Sequence, residues 1–420
     1  MKKTLLLSVV ASTMIIAGGD IEAVEVPIVE DFLIFSNIQG HGEIRPRYEG
    51  VDTDNAVRDA NAFTIRAQLS IQADLFQVEG LSTYLEATGV YGDGHYFDTT
   101  WGATNPDNGL YNLVADPDQS RFTQAYIDYK FSDTLIRAGR QGINLDNQRF
   151  VGTVDWRQMP QTFDAVAVIN NSIEGLNLLA AYIWQVNTIK AKESGYPAAR
   201  GDRFDTGSVV LHAAYTVMPE LTFTGYGYLL EDIHDTWGIA ATGKVGIGEN
   251  SNVSYRAEYA IQNDPSFTDL APNTTADADY LNLEATLNMS GFLLGAGYEL
   301  LSGVNNVGDS AFTTPLSTLH AHNGWADVFL PGAGNLATGL VDANAMIGYK
   351  SAGFGVAKVL YHDFSSDVGS IDYGTEIDVL YKNKIPGVKG LSGLIKGAWY
   401  SADDYKVDKT VLWAMIDYKF

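Results

Sequence analysis

This chain of 420 residues contains no cysteine, and it has no long apolar run after its amino terminus. Without cysteine there are no disulfide bonds, so stability must come from packing and backbone pairing. No uninterrupted stretch of about 20 apolar residues occurs beyond residue 23, which excludes a membrane-spanning helix. The formal net charge of −24 argues against nucleic acid as a partner.

The amino terminus has the composition of a secretory signal peptide. Lys2 and Lys3 precede an apolar stretch with small residues from Thr4 to Ala17. This stretch is too short to span a membrane as a helix. Cleavage is expected after residue 19 or residue 23, so we predict that residues 1–23 are a signal peptide and that the mature protein is exported.

Polar and apolar side chains alternate strictly along several segments of the mature chain. In residues 37–49 and 62–75 the polar set includes Gln39, His41, Glu43, Arg45, Arg47, Glu49, Thr64, Arg66 and Gln68. Such runs of period two are long for a strand of a soluble protein. A membrane-spanning β-barrel explains them, because its apolar side chains face lipid and its polar side chains face the lumen. Barrel strands pair all their backbone groups with one another, so no helix is needed.

The connections between these segments alternate in length. Short turns, such as residues 218–220 and 290–291, alternate with long polar stretches, such as residues 92–118 and 302–338. In bacterial outer-membrane barrels the short turns are periplasmic and the long loops are extracellular. The pattern therefore predicts the outer membrane of a Gram-negative bacterium as the location.

The predicted fold is all-β: a transmembrane antiparallel up-and-down β-barrel of about 18 strands. It occupies residues 37–420 and follows a short periplasmic segment at residues 24–36. Sixteen strands remain an alternative, because the alternation is weak at residues 139–164 and 384–393.

The carboxyl terminus resembles the assembly signal of such barrels. Ile416, Tyr418 and Phe420 share one apolar face, and Phe420 is the last residue. An aromatic carboxyl-terminal residue on an apolar strand face predicts recognition by the outer-membrane barrel-assembly machinery. An ordinary half-buried terminal strand is the simpler interpretation of this segment taken alone.

Arginine is distributed unevenly along the chain. Eleven of the twelve arginines precede residue 204, although the protein is acidic overall. In a narrow lumen, guanidinium groups form an anion-selective lining and suit planar carboxylates. The residues predicted to line the pore or its constriction are Arg45, Arg47, Arg66, Arg137, Arg140, Arg149 and Arg157, with Glu43 and Asp128. Because Glu43 and Asp128 also face inward, a structural network of paired charges is an equal alternative to a carboxylate-selective lining.

Two blocks of sequence resemble the alginate-export porin family. The first block contains Arg121–Tyr129, Ala138–Gln141, Arg149–Gly152 and Asp155–Gln158, and the second runs from Thr314 to Leu330. The resemblance implies an eighteen-stranded outer-membrane barrel with an arginine-rich pore that passes anionic polysaccharide. Arg140 and Arg157 lie in the matching motifs, so the resemblance implies a pore or constriction role for both.

The sequence gives little indication of metal binding or catalysis. His320 and His322 could supply two metal ligands, but two are too few for a site, so no metal is predicted. The acidic loops could bind calcium or bridge lipopolysaccharide, although solvated loops are the simpler interpretation. No Gly-x-Ser-x-Gly motif occurs, and no histidine is paired convincingly with a serine, so neither a catalytic residue nor a cofactor is expected.

The sequence thus predicts a porin for the passive passage of anionic solutes. Acidic, uronate-type oligosaccharides or polysaccharides are the substrate class that the resemblance implies. The predicted partners are small anions or acidic saccharides, outer-membrane lipid with lipopolysaccharide, and the assembly machinery. A general porin of weak selectivity, or a plugged barrel acting as a structural anchor or surface receptor, are the alternatives.

Overall fold

The computed structural model describes residues 33–55, 57–92, 96–99, 110–191, 201–267, 275–304, 309–330 and 336–420. The predicted signal peptide lies outside these ranges. Within them, nineteen strands are present, and eighteen form one antiparallel sheet that closes on itself between its first and last strands. No helix of the described residues is long and apolar enough to cross a membrane.

The barrel strands follow one another around the wall in chain order. They are β1 (Phe35–Thr53), β2 (Ala60–Leu75), β3 (Leu81–Gly92), β4 (Gln119–Phe131), β5 (Thr134–Gln141), β6 (Thr162–Asn170), β7 (Leu176–Asn187), β8 (Arg203–Met218), β9 (Leu221–Leu230), β10 (His234–Gly248), β11 (Ser251–Asn263), β12 (Thr275–Met289), β13 (Phe292–Leu301), β15 (Leu340–Ser351), β16 (Gly355–Ser365), β17 (Asp372–Lys384), β18 (Leu391–Ala402) and β19 (Lys409–Lys419). The short strand β14 (Asp309–Ser310) belongs to a loop and pairs in parallel with the start of β12. The predicted count of eighteen strands is confirmed.

The predicted alternation is present on β1 and β2. Glu43, Arg45 and Arg47 are at most 6% exposed, whereas Ile44 and Phe63 are 45% and 51% exposed. The polar side chains therefore face the lumen and the apolar ones form the outer belt. One strand departs from the pattern: strict alternation predicts that Tyr373 lies on the outer face of β17 with Ile377, but Tyr373 is 1% exposed and lies inside. The cause is a register shift between β16 and β17, beside Gly374 with its φ of 117°.

The last residue closes the barrel. The Phe420 N–H donates to the Gly42 carbonyl oxygen at 3.0 Å, and the Gly42 N–H donates to the Phe420 carbonyl oxygen at 2.8 Å. The Phe420 ring lies over the position that a side chain at Gly42 would occupy. Phe420 and Ile416 are exposed on the outer face, as expected for an assembly signal, whose recognition itself stays a prediction.

The two ends of the barrel differ in the length of their connections. The first strand begins and the last strand finishes at the side of the barrel that has the short turns. The opposite side carries nine loops. Described residues of three loops contact inward-facing side chains of the wall: L2 (residues 93–118), L3 (142–161) and L7 (302–339). The weak alternation near residues 139–164 arises because L3 separates two short strands there. Since short turns are periplasmic in bacterial outer-membrane barrels, the side of the barrel that has them faces the periplasm.

Candidate functional site: the lumen constriction

Two cavities occupy the lumen, one toward each end. The extracellular cavity has a volume of about 1350 Å³ and is lined by Glu49, Arg157 and Trp413 at its inner end. The periplasmic cavity measures about 2580 Å³ and reaches Glu43. Glu43 and Glu49 lie on the same strand, with about 20 Å of backbone between them at 3.3 Å per residue. The inward side chains between them, Arg45 and Arg47, mark a constriction.

Strand pairing brings the arginines of β1 and β2 together. Arg45 lies directly opposite Arg66 in the β1–β2 register. Arg45 and Arg66 share Glu43, with nitrogen–oxygen distances of 3.7 and 3.3 Å, and Arg47 pairs with Glu49 at 3.2 Å. These arginines are therefore compensated by carboxylates on the barrel wall itself.

The strand arginines also hold loop L3 across the lumen. Arg45 donates to the carbonyl oxygen of Arg157 at 2.7 Å and to Gln158 Oε1 at 3.0 Å. Arg47 donates to the carbonyl oxygen of Trp156, and its guanidinium carbon lies 5.3 Å from the centroid of the Trp156 ring. Guanidinium groups on the wall thus fix the inner end of L3 at the level of the constriction.

Arg157 of L3 joins three different parts of the chain. It donates to Glu49 of β1 at 3.0 Å and to Asp327 of L7 at 3.0 Å, and it lies 3.7 Å from Asp116 of L2. Asp116 also pairs with Arg47. Burial would lower the pKa of Arg157, but the pairing with Glu49 and Asp116 outweighs it and raises that pKa. Arg157 therefore stays charged inside the barrel.

Arg149, the second predicted arginine of L3, is fully buried. Its Nε lies 2.9 Å from Glu299 of β13, and it donates to Asn323 of L7 at 2.9 Å. The Asn323 side chain in turn donates to Glu299. Arg149 therefore fastens L3 and L7 to the wall at a place separate from Arg157.

Three predicted site residues, Arg137, Arg140 and Asp128, lie apart from the constriction. Arg137 forms a two-pronged ion pair with Asp128, both distances being 2.7 Å, and lies 3.9 Å over the Tyr126 ring. Arg140 forms a similar pair with Asp164 at 2.7 and 2.9 Å. Its other partner is the carbonyl oxygen of Phe122. The structure thus brings together Arg45, Arg47, Arg66, Arg157 and Glu43, and places Arg137, Arg140 and Asp128 elsewhere.

A lysine in a tryptophan cage completes the constriction. The Lys396 Nζ lies 3.7, 4.4 and 5.2 Å from the ring centroids of Trp325, Trp156 and Trp413. It also donates to His320 Nε2 at 2.7 Å. The cage combines L3, L7, β18 and β19, and cation–π attraction is strongest in such desolvated positions. Sequence reasoning did not identify Lys396, because its partners are scattered along the chain and carry no common spacing.

The two histidines of L7 are engaged in packing. His320 lies in a one-turn 3-10 helix, Leu319–Ala321, and stacks on Trp156 with a centroid distance of 4.5 Å. Its Nδ1 contacts Asp327 at 2.8 Å. Burial lowers the pKa of His320 to about 3 and that of His322 to about 4. Within the described residues, no group of three or more histidine, aspartate, glutamate or cysteine side chains is arranged to hold a metal ion.

The sequence and the fold are similar to those of known proteins. The alginate export family model matches residues 61–173, which include the first motif block but not the second. The solved structures of OpdL from Pseudomonas aeruginosa and OccAB4 from Acinetobacter baumannii align with TM-scores of 0.67 and 0.69. Sequence identities are 19% and 16%; the alignments cover 91% and 92% of this chain and 99% and 98% of those chains.

Residues 61–173 resemble the alginate export family, and the fold is that of an outer-membrane β-barrel. Another similar structure is P. aeruginosa OpdK determined with vanillate, with a TM-score of 0.68, 16% identity, and coverage of 91% of this chain and 98% of that chain. No curated protein sequence matches the chain significantly. The fold, with its apolar outer belt, locates this barrel in the outer membrane of a Gram-negative bacterium.

Proposed function

We propose that the barrel is a channel for the passive passage of small anionic solutes. Acidic, uronate-type oligosaccharides are the largest molecules that it passes. The observation that carries this proposal is the presence of two cavities on either side of one arginine-containing layer. A solute crossing the lumen has to pass Arg45, Arg47 and Arg66. Guanidinium groups bind planar carboxylates through paired hydrogen bonds, which favours anions at this layer.

The loop carboxylates supply a mechanism for passage. Asp116 of L2 and Asp155 of L3 occupy the partner positions of Arg47 and Arg66. A solute carboxylate that enters the layer can take the place of one of these loop groups, so the guanidinium exchanges one anionic partner for another. The exchange avoids leaving a buried charge unpaired, which would cost several kcal/mol, about 3–5. Passage down a gradient then requires loop movement but no energy source.

Similarity to other barrels agrees with this proposal. Vanillate, with which OpdK was crystallised, is itself a carboxylate. The match to the alginate export family suggests acidic saccharides as larger cargo.

Conductance of the refolded protein in a planar bilayer tests the proposal. Under a KCl gradient, the reversal potential is expected to indicate preference for chloride, and an added oligouronate is expected to reduce the current. Conductance without preference or block would indicate a general porin. Absence of conductance would contradict any channel function and indicate a plugged barrel.

A further inference from the structure

The strongly paired arginines of the constriction contrast with lysines of the periplasmic cavity. That cavity is lined by Lys244, Lys350, Lys382, Lys384, Lys389 and Lys419 and by three acidic residues, Glu43, Glu86 and Asp417. Of these lysines, Lys419 pairs with Glu43 and Asp417. In the part of the chain that the structure describes, the other five have no carboxylate at ion-pair distance. The cavity therefore has a cationic excess inside an acidic protein.

Three neighbouring strands gather four lysines into one patch. Lys350 of β15 and Lys382 of β17 lie on either side of Val356 of β16, each directly opposite it in register. Neighbouring strands are about 4.8 Å apart, so these two lysine backbones are separated by about 10 Å. Lys358, two residues from Val356, and Lys384, two residues from Lys382, share the lumen face with them. We call Lys350, Lys358, Lys382 and Lys384 the lysine patch.

Among the described residues, five lysines of the periplasmic cavity thus lack a carboxylate partner, whereas the arginines of the constriction are compensated. Arg45, Arg47 and Arg66 each have a carboxylate within 3.7 Å. By contrast, the lysine patch has none among the described residues. Like charges without counterions, lining a cavity with walls of low dielectric constant, concentrate mobile anions there. Lysine ammonium groups are flexible point charges with three donors, which suits several carboxylates on one chain better than one fixed geometry.

We propose that the lysine patch is a binding site for an oligomeric carboxylate, such as a uronate oligosaccharide, at the periplasmic mouth of the channel. This inference rests on the proposed channel function and deepens it. The patch gathers the polyanion beside the constriction, so block of the current by an oligouronate is asymmetric and stronger from the periplasmic side. Neighbouring lysines bind successive carboxylates of one chain, so affinity rises with the number of sugar units.

Block of single channels by trigalacturonate, added to one side of the bilayer at a time, tests this site. The replacements Lys382→Gln and Lys384→Gln together are expected to raise the half-blocking concentration from the periplasmic side at least tenfold. Block from the extracellular side is expected to change less than twofold. Lys406→Gln removes one lysine charge in the extracellular loop between β18 and β19; it is the control and is expected to leave periplasmic block unchanged.

The outcomes separate this site from the channel function. Conducting channels whose periplasmic block is the same in wild type and in the double variant would overturn the lysine patch while leaving the channel intact. Equal block from both sides in wild type would overturn it as well. Absence of conductance in the wild type would instead refute the channel function. Because Lys382 and Lys384 are exposed to the cavity, the double variant is expected to fold, and its heat-modifiable migration in gels checks this.

Discussion

The guanidinium group of Arg157, on loop L3, donates hydrogen bonds to both carboxylate oxygens of Glu49, on β1, at 3.0 and 3.1 Å. This contact ties a loop to the barrel wall at the inner end of the extracellular cavity. Because Arg157 also contacts Asp327, one side chain couples L3, L7 and the wall. The narrowness of the lumen therefore depends on charges that are buried and paired.

Replacement Arg157→Gln tests this coupling. It leaves Asp327 without its arginine and Glu49 with Arg47 alone, and breaking a buried ion pair from one side costs about 3–5 kcal/mol. We expect L3 to leave the lumen, with higher single-channel conductance and more current noise. Arg140→Gln is the matched control, since Arg140 pairs with Asp164 outside the constriction. Equal effects of the two replacements would show that Arg157 has no special role.

Trp156 links the tryptophan cage to the arginine layer. It stacks on His320, lies over Lys396 and contacts Arg47. Trp156→Ala is expected to destabilise the packed loops by about 3–5 kcal/mol, as for large aromatic truncations. The rate of protease cleavage within L3 and L7 of the intact barrel would measure this loss of loop stability. Trp399→Ala, on the lipid face where Trp399 is 41% exposed, is expected to leave that cleavage unchanged; accelerated cleavage there too would contradict the prediction.

Acidic pH is expected to release L7 from the lumen. The pKa values of His320 and His322 are lowered to about 3 and about 4 when the loop is packed, whereas a histidine in water titrates near 6.5. The released loop therefore binds protons more readily, so packing is most stable above about pH 6.5 and weakens as the pH falls. At pH 5 each histidine contributes about 2 kcal/mol of this loss.

Conductance recorded between pH 7 and pH 4 measures this effect. Channel openings are expected to become larger or more frequent as the pH falls. The double replacement His320→Gln and His322→Gln is expected to flatten the response, because neither glutamine titrates. A pH response that persists unchanged in the double variant would assign it to other groups.

Phe420 is expected to matter for assembly through its place at the barrel seam. Phe420→Ala removes the ring that covers Gly42 and the aromatic end of the predicted assembly signal. We expect several-fold less folded barrel in the outer membrane, measured by heat-modifiable migration in gels. Phe292→Ala removes an equally large ring from the outer face of β13, where Phe292 is 64% exposed. A comparable loss for both variants would mean that general hydrophobicity, not the terminal position, is responsible.

The inward and outward faces of β1 and β2 could be predicted because period two is a local property of a strand. The placement of Arg45, Arg47, Arg66 and Glu43 follows from it directly. The same period predicts the wrong face for Tyr373, because a register shift beside Gly374 interrupts it. The alternation could not predict that L3 folds into the lumen, because a loop has no regular spacing of polar and apolar side chains.

The sequence by itself determined the barrel, the faces of its regular strands and the uneven distribution of arginine, and it limited the strand number to eighteen or sixteen. Only the tertiary structure decided which charges are neutralised. Arg157 meets Glu49 and Asp327 from positions more than one hundred residues away, and Lys396 meets tryptophans of three other segments. Such pairings depend on how loops fold inside a closed barrel, and no local spacing encodes them. Charge in a lumen is set by these distant neighbours. Among the residues that the structure describes, the lysines of β15 to β17 have no carboxylate at ion-pair distance.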